Sequence, residues 1–173
     1  MAMSNSNKTT APSEGKKKVL GGKYLTFMLA GEEYGLEILK VREIIGLMNI
    51  TPVPRTPEFI LGVINLRGKV IPVINLRSKF NMQVMERTRQ TCIIVVDVGR
   101  LEMGILVDSV SEVMNIADEN IQEPPEFGFA VQTEFILGMG KLKDKVTILL
   151  DISRVLTGEE VASLESIDKE HAA

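Results

Sequence analysis

The chain of 173 residues has a single histidine, a single cysteine and no tryptophan. The histidine is His171, in the polar C-terminal stretch. Its position removes histidine-based triads, histidine metal clusters and a phospho-accepting histidine from the folded region. Cys92 alone excludes an intramolecular disulfide and fits a reducing compartment. Without tryptophan there is no obvious aromatic platform for a sugar or single-stranded nucleic acid. Neither a G-x-x-x-x-G-K-[ST] nor a G-x-G-x-x-G phosphate loop occurs. No run approaches the ~20 apolar residues of a membrane span. The N-terminal stretch MAMSNSNKTTAPSEGKKK lacks the apolar centre of a secretory signal, so a cytoplasmic location is expected. A net charge of -3 gives no general attraction to nucleic acid, and the basic run Lys16-Lys17-Lys18 reads as solvated. No metal or cofactor is expected.

What remains is an ordinary globular composition, 45% hydrophobic and 25% charged, enough for one domain or two small ones sharing a core. Residues 1–20 are polar and read as a disordered tail. Strand-forming runs follow at Tyr24–Leu29, Glu33–Ile38, Leu61–Leu66, Lys69–Ile74, Thr91–Val98, Met103–Val107, Phe135–Met139 and Val146–Ile152. Leu36, Leu39, Lys40, Glu43 and Ile44 carry a weak helical period, which predicts a short helix near residues 39–45. Arg67-Gly68 joins two apolar runs as a two-residue hairpin turn, with Gly68 available for a positive φ. Pro72 suggests an edge strand or a bulge. Apolar residues at Val155, Leu156, Val161 and Leu164 predict a C-terminal helix over 153–167, with Ser153 and Thr157 as possible caps and a polar tail at 168–173.

The chain also repeats itself. Glu58-Phe59-Ile60-Leu61-Gly62 recurs as Glu134-Phe135-Ile136-Leu137-Gly138, with Leu66, Lys69 and Val70 matched by Leu142, Lys145 and Val146. The turn Arg67-Gly68 falls on Lys143-Asp144, where Asp can take the left-handed region. Upstream, Gly35, Val41 and Glu43 match Gly104, Val110 and Glu112. Two copies of one small β module are expected, about 21–85 and about 90–152, each curling into a barrel and packing on the other. An α/β sheet with a buried parallel strand at Ile93–Asp97 is the competing reading. The interval to Met103 is too short for the helical crossover that a parallel partner needs.

The stretch Asn65-Leu66-Arg67-Gly68-Lys69-Val70-Ile71-Pro72-Val73-Ile74-Asn75-Leu76-Arg77 resembles the signature of the CheW family of chemotaxis coupling proteins. Glu33–Ile44, Thr56–Gly62 and Pro124-Pro125-Glu126-Phe127 resemble it too, so the likeness runs from about Lys23 to about Leu164. It implies a mainly β fold of two pseudo-repeated, five-stranded SH3-like barrels packed together, with short helices and a C-terminal helix. It implies a non-enzymatic adaptor with two partners: the regulatory domain of a CheA-type histidine kinase and the cytoplasmic tip of methyl-accepting chemoreceptors. It places Val41, Glu43, Ile44, Gly62 and Arg67 at the receptor surface. It places the loop that holds Gln122, Glu126 and Phe127 toward the kinase or its neighbours in a ring.

Each of these residues also has a plainer reading. Arg67 could be a solvated turn residue, and Val41 and Ile44 could be core. Gly62, twinned by Gly138, could serve only a bulge. Phe127 lies in the lengthened interval of the second copy, where an insertion adds function more readily than structure. It is expected exposed, with Phe129 folding inward. A different function class is a small enzyme using the strand-end aspartates Asp97, Asp108 and Asp151 with a divalent metal. It requires at least two of these carboxylates in one pocket. A nucleic-acid-binding barrel would need a basic stripe with aromatics, which this composition disfavours. Cys92 reads as a small core residue.

Overall fold

The computed structural model describes residues 20–99, 101–124 and 134–170. The fold is mainly β: β1 (Gly22–Leu29), β2 (Glu32–Glu37), β3 (Val41–Gly46), β4 (Ile60–Leu66), β5 (Lys69–Asn75), β6 (Cys92–Asp97), β7 (Glu102–Val107), β8 (Ser109–Ile116), β9 (Ile121–Gln122), β10 (Ile136–Leu142) and β11 (Lys145–Leu150). Two helices complete it, α1 (Leu76–Lys79) and α2 (Gly158–Glu170). The strands form two sheets. Sheet one runs β9-β10-β11-β2-β1-β8 and sheet two runs β3-β6-β7-β5-β4.

Each sheet draws strands from both copies of the repeat. Hairpin β1–β2 belongs to the first copy but pairs with β8 and β11 of the second; hairpin β6–β7 of the second copy pairs with β3 and β5 of the first. The division at residues 85–90 is therefore a division of the sequence and not of the sheets. The two crossings are short: the 3-10 turn Ile38–Lys40 takes the chain out of sheet one, and Asp108 between β7 and β8 brings it back.

The repeat explains several side chains at once. The β2–β11 and β5–β7 contacts are parallel, with Gly35 opposite Leu149 and Gly104 opposite Val73. A Cβ on Gly35 would lie 3.0 Å from Leu149 Cδ2, and one on Gly104 2.7 Å from Ile93 Cγ2. Matched glycines thus mark matched tight crossings. The Ile93–Val96 run is buried on both faces although β6 is antiparallel to both neighbours. Ile94 and Val96 enter a core layer shared by both sheets, while Ile93 and Val95 enter a layer confined to sheet two. A smaller layer around Tyr24, Ile116 and Leu149 fills sheet one. Continuous apolar sequence here reflects two cores, not a parallel sheet; each buried aliphatic side chain contributes about 1.5–3 kcal/mol.

Four local expectations are corrected. Residues 41–46 are a strand, not a helix, following only the Ile38–Lys40 turn. β5 is an interior strand, and Pro72 falls just before the Val73–Asn75 stretch that pairs with β7. The left-handed residue in the second hairpin is Lys143 rather than Asp144; in the first, both Arg67 (φ 54) and Gly68 (φ 87) are left-handed. The C-terminal helix begins later than expected and runs to Glu170. Thr157 does cap it: its Oγ1 accepts from the Glu160 N–H at 3.1 Å, and Glu160 Oε1 accepts from the Thr157 N–H at 2.8 Å, a reciprocal capping box. The same carboxylate receives Lys79 Nζ at 2.7 and 2.8 Å, and that ammonium lies 4.7 Å from the centre of the Phe59 ring. α2 is thereby fastened to α1, with Leu164 and Ile167 in the shared core.

Candidate partner-binding surface

β3 is an edge strand bonded only to β6, and its register shifts between Val41 and Glu43. The extra residue changes which way the following side chains face. Val41 packs against the shared core, while Ile44 is turned outward and is 45% exposed. An exposed isoleucine on an edge strand invites further strand pairing unless charge guards it. Charge does: Arg42 reaches Asp97 at 3.0 Å and Glu102 at 3.2 Å, and Lys69 reaches Glu102 at 3.1 Å. Beside this network the Arg67 guanidinium donates to the Glu43 carboxylate. That bond, first, and the nearby negative charge raise the Arg67 pKa above its ordinary value. Arg67 remains 69% exposed, so most of its fork is open to a partner.

The five residues expected at one surface therefore separate into kinds. Glu43 and Arg67 are joined directly and Ile44 stands exposed on the same strand as Glu43. Val41 belongs to the core edge. Gly62 is buried, and a Cβ there would lie 2.1 Å from the Thr51 carbonyl oxygen. It occupies the bulge between Ile60 and Gly62 that lets the Thr51–Val63 bridge form. Gly138 does the same for Ile121 and Gln122, a Cβ there meeting Ile121 Cγ2 at 2.7 Å. Gln122 is exposed on β9, pairs with Met139 and is the repeat counterpart of Thr51. Glu126, Phe127 and Phe129 lie outside the described residues.

A shallow cleft of about 350 Å³, part polar and part apolar, adjoins the end of β3, lined by Leu47, Met48, Asn49, Ile50, Pro52, Leu61 and Arg87. It lies beside sheet two, on the stretch that follows β3. Sequence reasoning missed Leu39, which is 92% exposed on the turn leading into β3, and the charge network of Arg42, Lys69 and Glu102. The alternation of sign along β3 and the β4–β5 hairpin was the available signal.

The strand-end aspartates go different ways. Asp97 accepts from Arg42 and from the Gly99 N–H at 2.8 Å. Asp108 takes a two-pronged bond from Arg77, 2.9 and 2.7 Å, and a third from the Ala30 N–H at 2.9 Å. Asp151 accepts from the Ser153 N–H at 3.1 Å and faces Arg154. Each carboxylate is held by its own arginine, and among the described residues no three of histidine, cysteine, aspartate and glutamate cluster as metal ligands. Cys92 is half-buried against the shared core, its thiol pushed up by burial. No helix among the described residues is long and apolar enough to cross a membrane.

The same architecture recurs among known proteins. A family model described as a CheW-like domain matches residues 23–160. The chain is 42% identical over 154 residues to the chemotaxis protein CheW of Klebsiella aerogenes, covering 89% of this chain and 93% of that one. It is 34% identical to the Bacillus subtilis protein of the same name, over 83% of this chain and 92% of the relative. The crystal structure of the scaffolding protein TtCheW from Thermoanaerobacter tengcongensis superposes with a TM-score of 0.74 at 37% identity, over 82% of this chain and 96% of that chain. With its two packed repeat barrels and a matching sequence across nearly all of the folded chain, this protein belongs to the CheW family of chemotaxis proteins.

Proposed function

We propose that the chain is a non-enzymatic scaffold that couples a CheA-type histidine kinase, through its regulatory domain, to the cytoplasmic tips of methyl-accepting chemoreceptors. In this role it is drawn from the cytoplasm to membrane-associated receptor arrays. The observation that carries the receptor half is the surface of β3 and the β4–β5 turn. It presents an exposed Ile44 beside an Arg67–Glu43 pair whose guanidinium is mostly free. A receptor hairpin offers helices, and an apolar contact flanked by a fixed charge pair suits the face of an amphipathic helix. Val41 and Gly62 support this surface from behind, by holding the strand edge and the bulge.

The kinase half rests on the loop that follows β9. Gln122 is exposed at its start, and Glu126 and Phe127 are the residues we assign to the kinase or ring neighbour. The separate engagement of Asp97, Asp108 and Asp151 favours a scaffold over metal-dependent chemistry.

The test combines the purified protein with a CheA-type kinase and receptor fragments and follows kinase autophosphorylation. Strong stimulation that needs all three components is expected. Arg67→Glu should cut that stimulation at least tenfold while leaving the thermal midpoint unchanged. Absence of stimulation by the native protein, with no binding to either partner, would overturn the proposal.

A further inference from the structure

Upstream of β1 the sequence reads Lys16-Lys17-Lys18-Val19-Leu20, and the described residues begin at Leu20. By sequence alone the lysine run is solvated, but the residues that follow it show where the chain comes from. Gly22 lies opposite Ile116 in the β1–β8 ladder. One residue upstream, Gly21 is pressed against the turn after β8: a Cβ there would lie 2.6 Å from the Asp118 nitrogen. Asp118 Oδ1 accepts from the Gly21 N–H at 3.1 Å and from the Leu20 N–H at 2.8 Å. The Tyr24 hydroxyl donates to the Leu20 carbonyl at 2.6 Å. Leu20 Cδ1 lies 3.6 Å from where a Cβ on Gly138 would be, beside Ile121 and Gln122. Each step upstream thus moves the chain away from β8 and along β9, toward Glu123.

Leu20 is there a wall of a pocket of about 560 Å³. The apolar part of its lining is Ile121, Ile136 and Leu137, all half-buried. The charged part is five carboxylates, Asp118, Glu119, Glu123, Glu134 and Asp151, against the single guanidinium of Arg154; no lysine lines it. Arg154 faces Asp151 at 3.5 Å, and Glu119, Glu123 and Glu134, all exposed, have no cationic partner among the described residues. The stretch that joins Glu123 to Glu134 cannot balance them, because its one charged residue is Glu126. The pocket calls for an apolar group and cations. Val19 and then Lys18, Lys17 and Lys16 supply them in the order in which the chain arrives. An extended chain spans about 3.3–3.6 Å per residue, so all three lysines stay within reach of a pocket bounded by Leu20. The tether also presents them at an effective concentration of about millimolar, where exposed ion pairs too weak to hold a free peptide are populated.

We propose that residues 16–19 dock in this pocket, with Val19 on Ile121, Ile136 and Leu137 and the three ammonium groups against Glu119, Glu123 and Glu134. The N-terminal segment is then a latch laid across the strands β9 and β10. It stands apart from the kinase reading, although its seat borders Gln122, where the loop assigned to the kinase begins.

The full chain would be treated with a carbodiimide, which joins a lysine to a carboxylate only where the two already touch, and the joined peptides read by mass spectrometry. Links from Lys16, Lys17 and Lys18 to Glu123 and Glu134 within one chain are expected. They should fall about fivefold between about 0.02 M and about 0.5 M salt. Hydrogen exchange at the Leu20 and Gly21 amides should quicken at least threefold in Lys16→Gln/Lys17→Gln/Lys18→Gln, and equally in Glu123→Gln/Glu134→Gln; all five changes are at positions outside the packed layers. Links confined to Asp118, where Leu20 is tied in any case, or spread evenly to Glu58 and Glu86, would overturn the latch. Links found only between chains, in a mixture of isotopically light and heavy protein, would overturn it by giving the pocket to a second copy. Unchanged amide exchange in either variant would overturn it by leaving the pocket to an outside partner.

Discussion

Arg67 sits where glycine would be more comfortable. Its φ of 54 places an L residue in the left-handed region, at a cost of about 1–2 kcal/mol. The adjacent Gly68 adopts φ 87 with no such cost, and its N–H is held by Asn65 Oδ1 at 2.8 Å. Two-residue turns of this kind accept Gly-Gly readily. A strained arginine kept at an exposed turn points to the guanidinium as the reason. Arg67→Gly is accordingly expected to unfold in urea at the native midpoint or above it, because the relieved strain offsets the loss of an exposed ion pair. Three-component kinase stimulation should nevertheless fall severalfold. Parallel loss of stability and stimulation would make Arg67 a structural residue. The turn was legible in the sequence as Arg67-Gly68. The carboxylate that meets it was not, because Glu43 is 24 positions away and the two come together only when the barrel closes.

At the scale of elements, most apolar strands were readable, but β3 and β8, two of the four strands at sheet edges, were not. The cause is the bulge. An inserted residue sets Val41 and Ile44 three apart across a break in the period of two, and that spacing imitates a helix. Gly62 and Gly138, by contrast, announced the bulges through their duplication. The joints between elements were also hidden. Asp108 links the sheets: it receives Arg77 from α1 and the Ala30 N–H from the β1–β2 turn, and its own N–H bonds the Met28 carbonyl at 3.2 Å. The Arg77 hydrogen bond is the chief cause that lowers the Asp108 carboxyl below its ordinary value; burial opposes it, while the Ala30 N–H and the Arg77 charge assist. A depressed folded pKa contributes stability in full above the unfolded value of about 3.9, and that contribution disappears as pH falls through the folded value. With the side chain a third exposed, the clamp should contribute about 1–2 kcal/mol at neutral pH. Asp108→Asn should therefore unfold more easily than the native chain at pH 7, and the gap should close below about pH 4. A gap that stays constant from pH 7 to pH 3 would show that Asp108 acts through packing and not through its charge.

At the scale of the molecule, the repeat was visible in sequence but the exchange of hairpins was not. Both copies carry the same pairing residues, so β1–β2 could in principle pair with strands of either copy. The connections decide. The Ile38–Lys40 turn and the single residue Asp108 are short hinges, and short hinges favour pairing with the other copy's strands over folding back. The consequence is that neither copy contains a complete sheet: the first lacks the partners of β1–β2, and the second lacks those of β6–β7. The shared core draws Leu25, Phe27 and Leu150 from sheet one and Ile74, Ile94 and Met103 from sheet two, so removing either copy opens it along its length. Cutting the chain in the exposed stretch between Asn81 and Gln90 should thus yield two fragments, 20–88 and 89–170, that remain unfolded alone. Mixed at equal concentration, they should recover the strand signal in circular dichroism and dispersed amide resonances, while the intact chain unfolds in one transition by every probe. Cooperative folding of either fragment by itself would mean that its strands can pair within their own copy, and the exchanged sheets would then be a choice made by the connections rather than a requirement of the core.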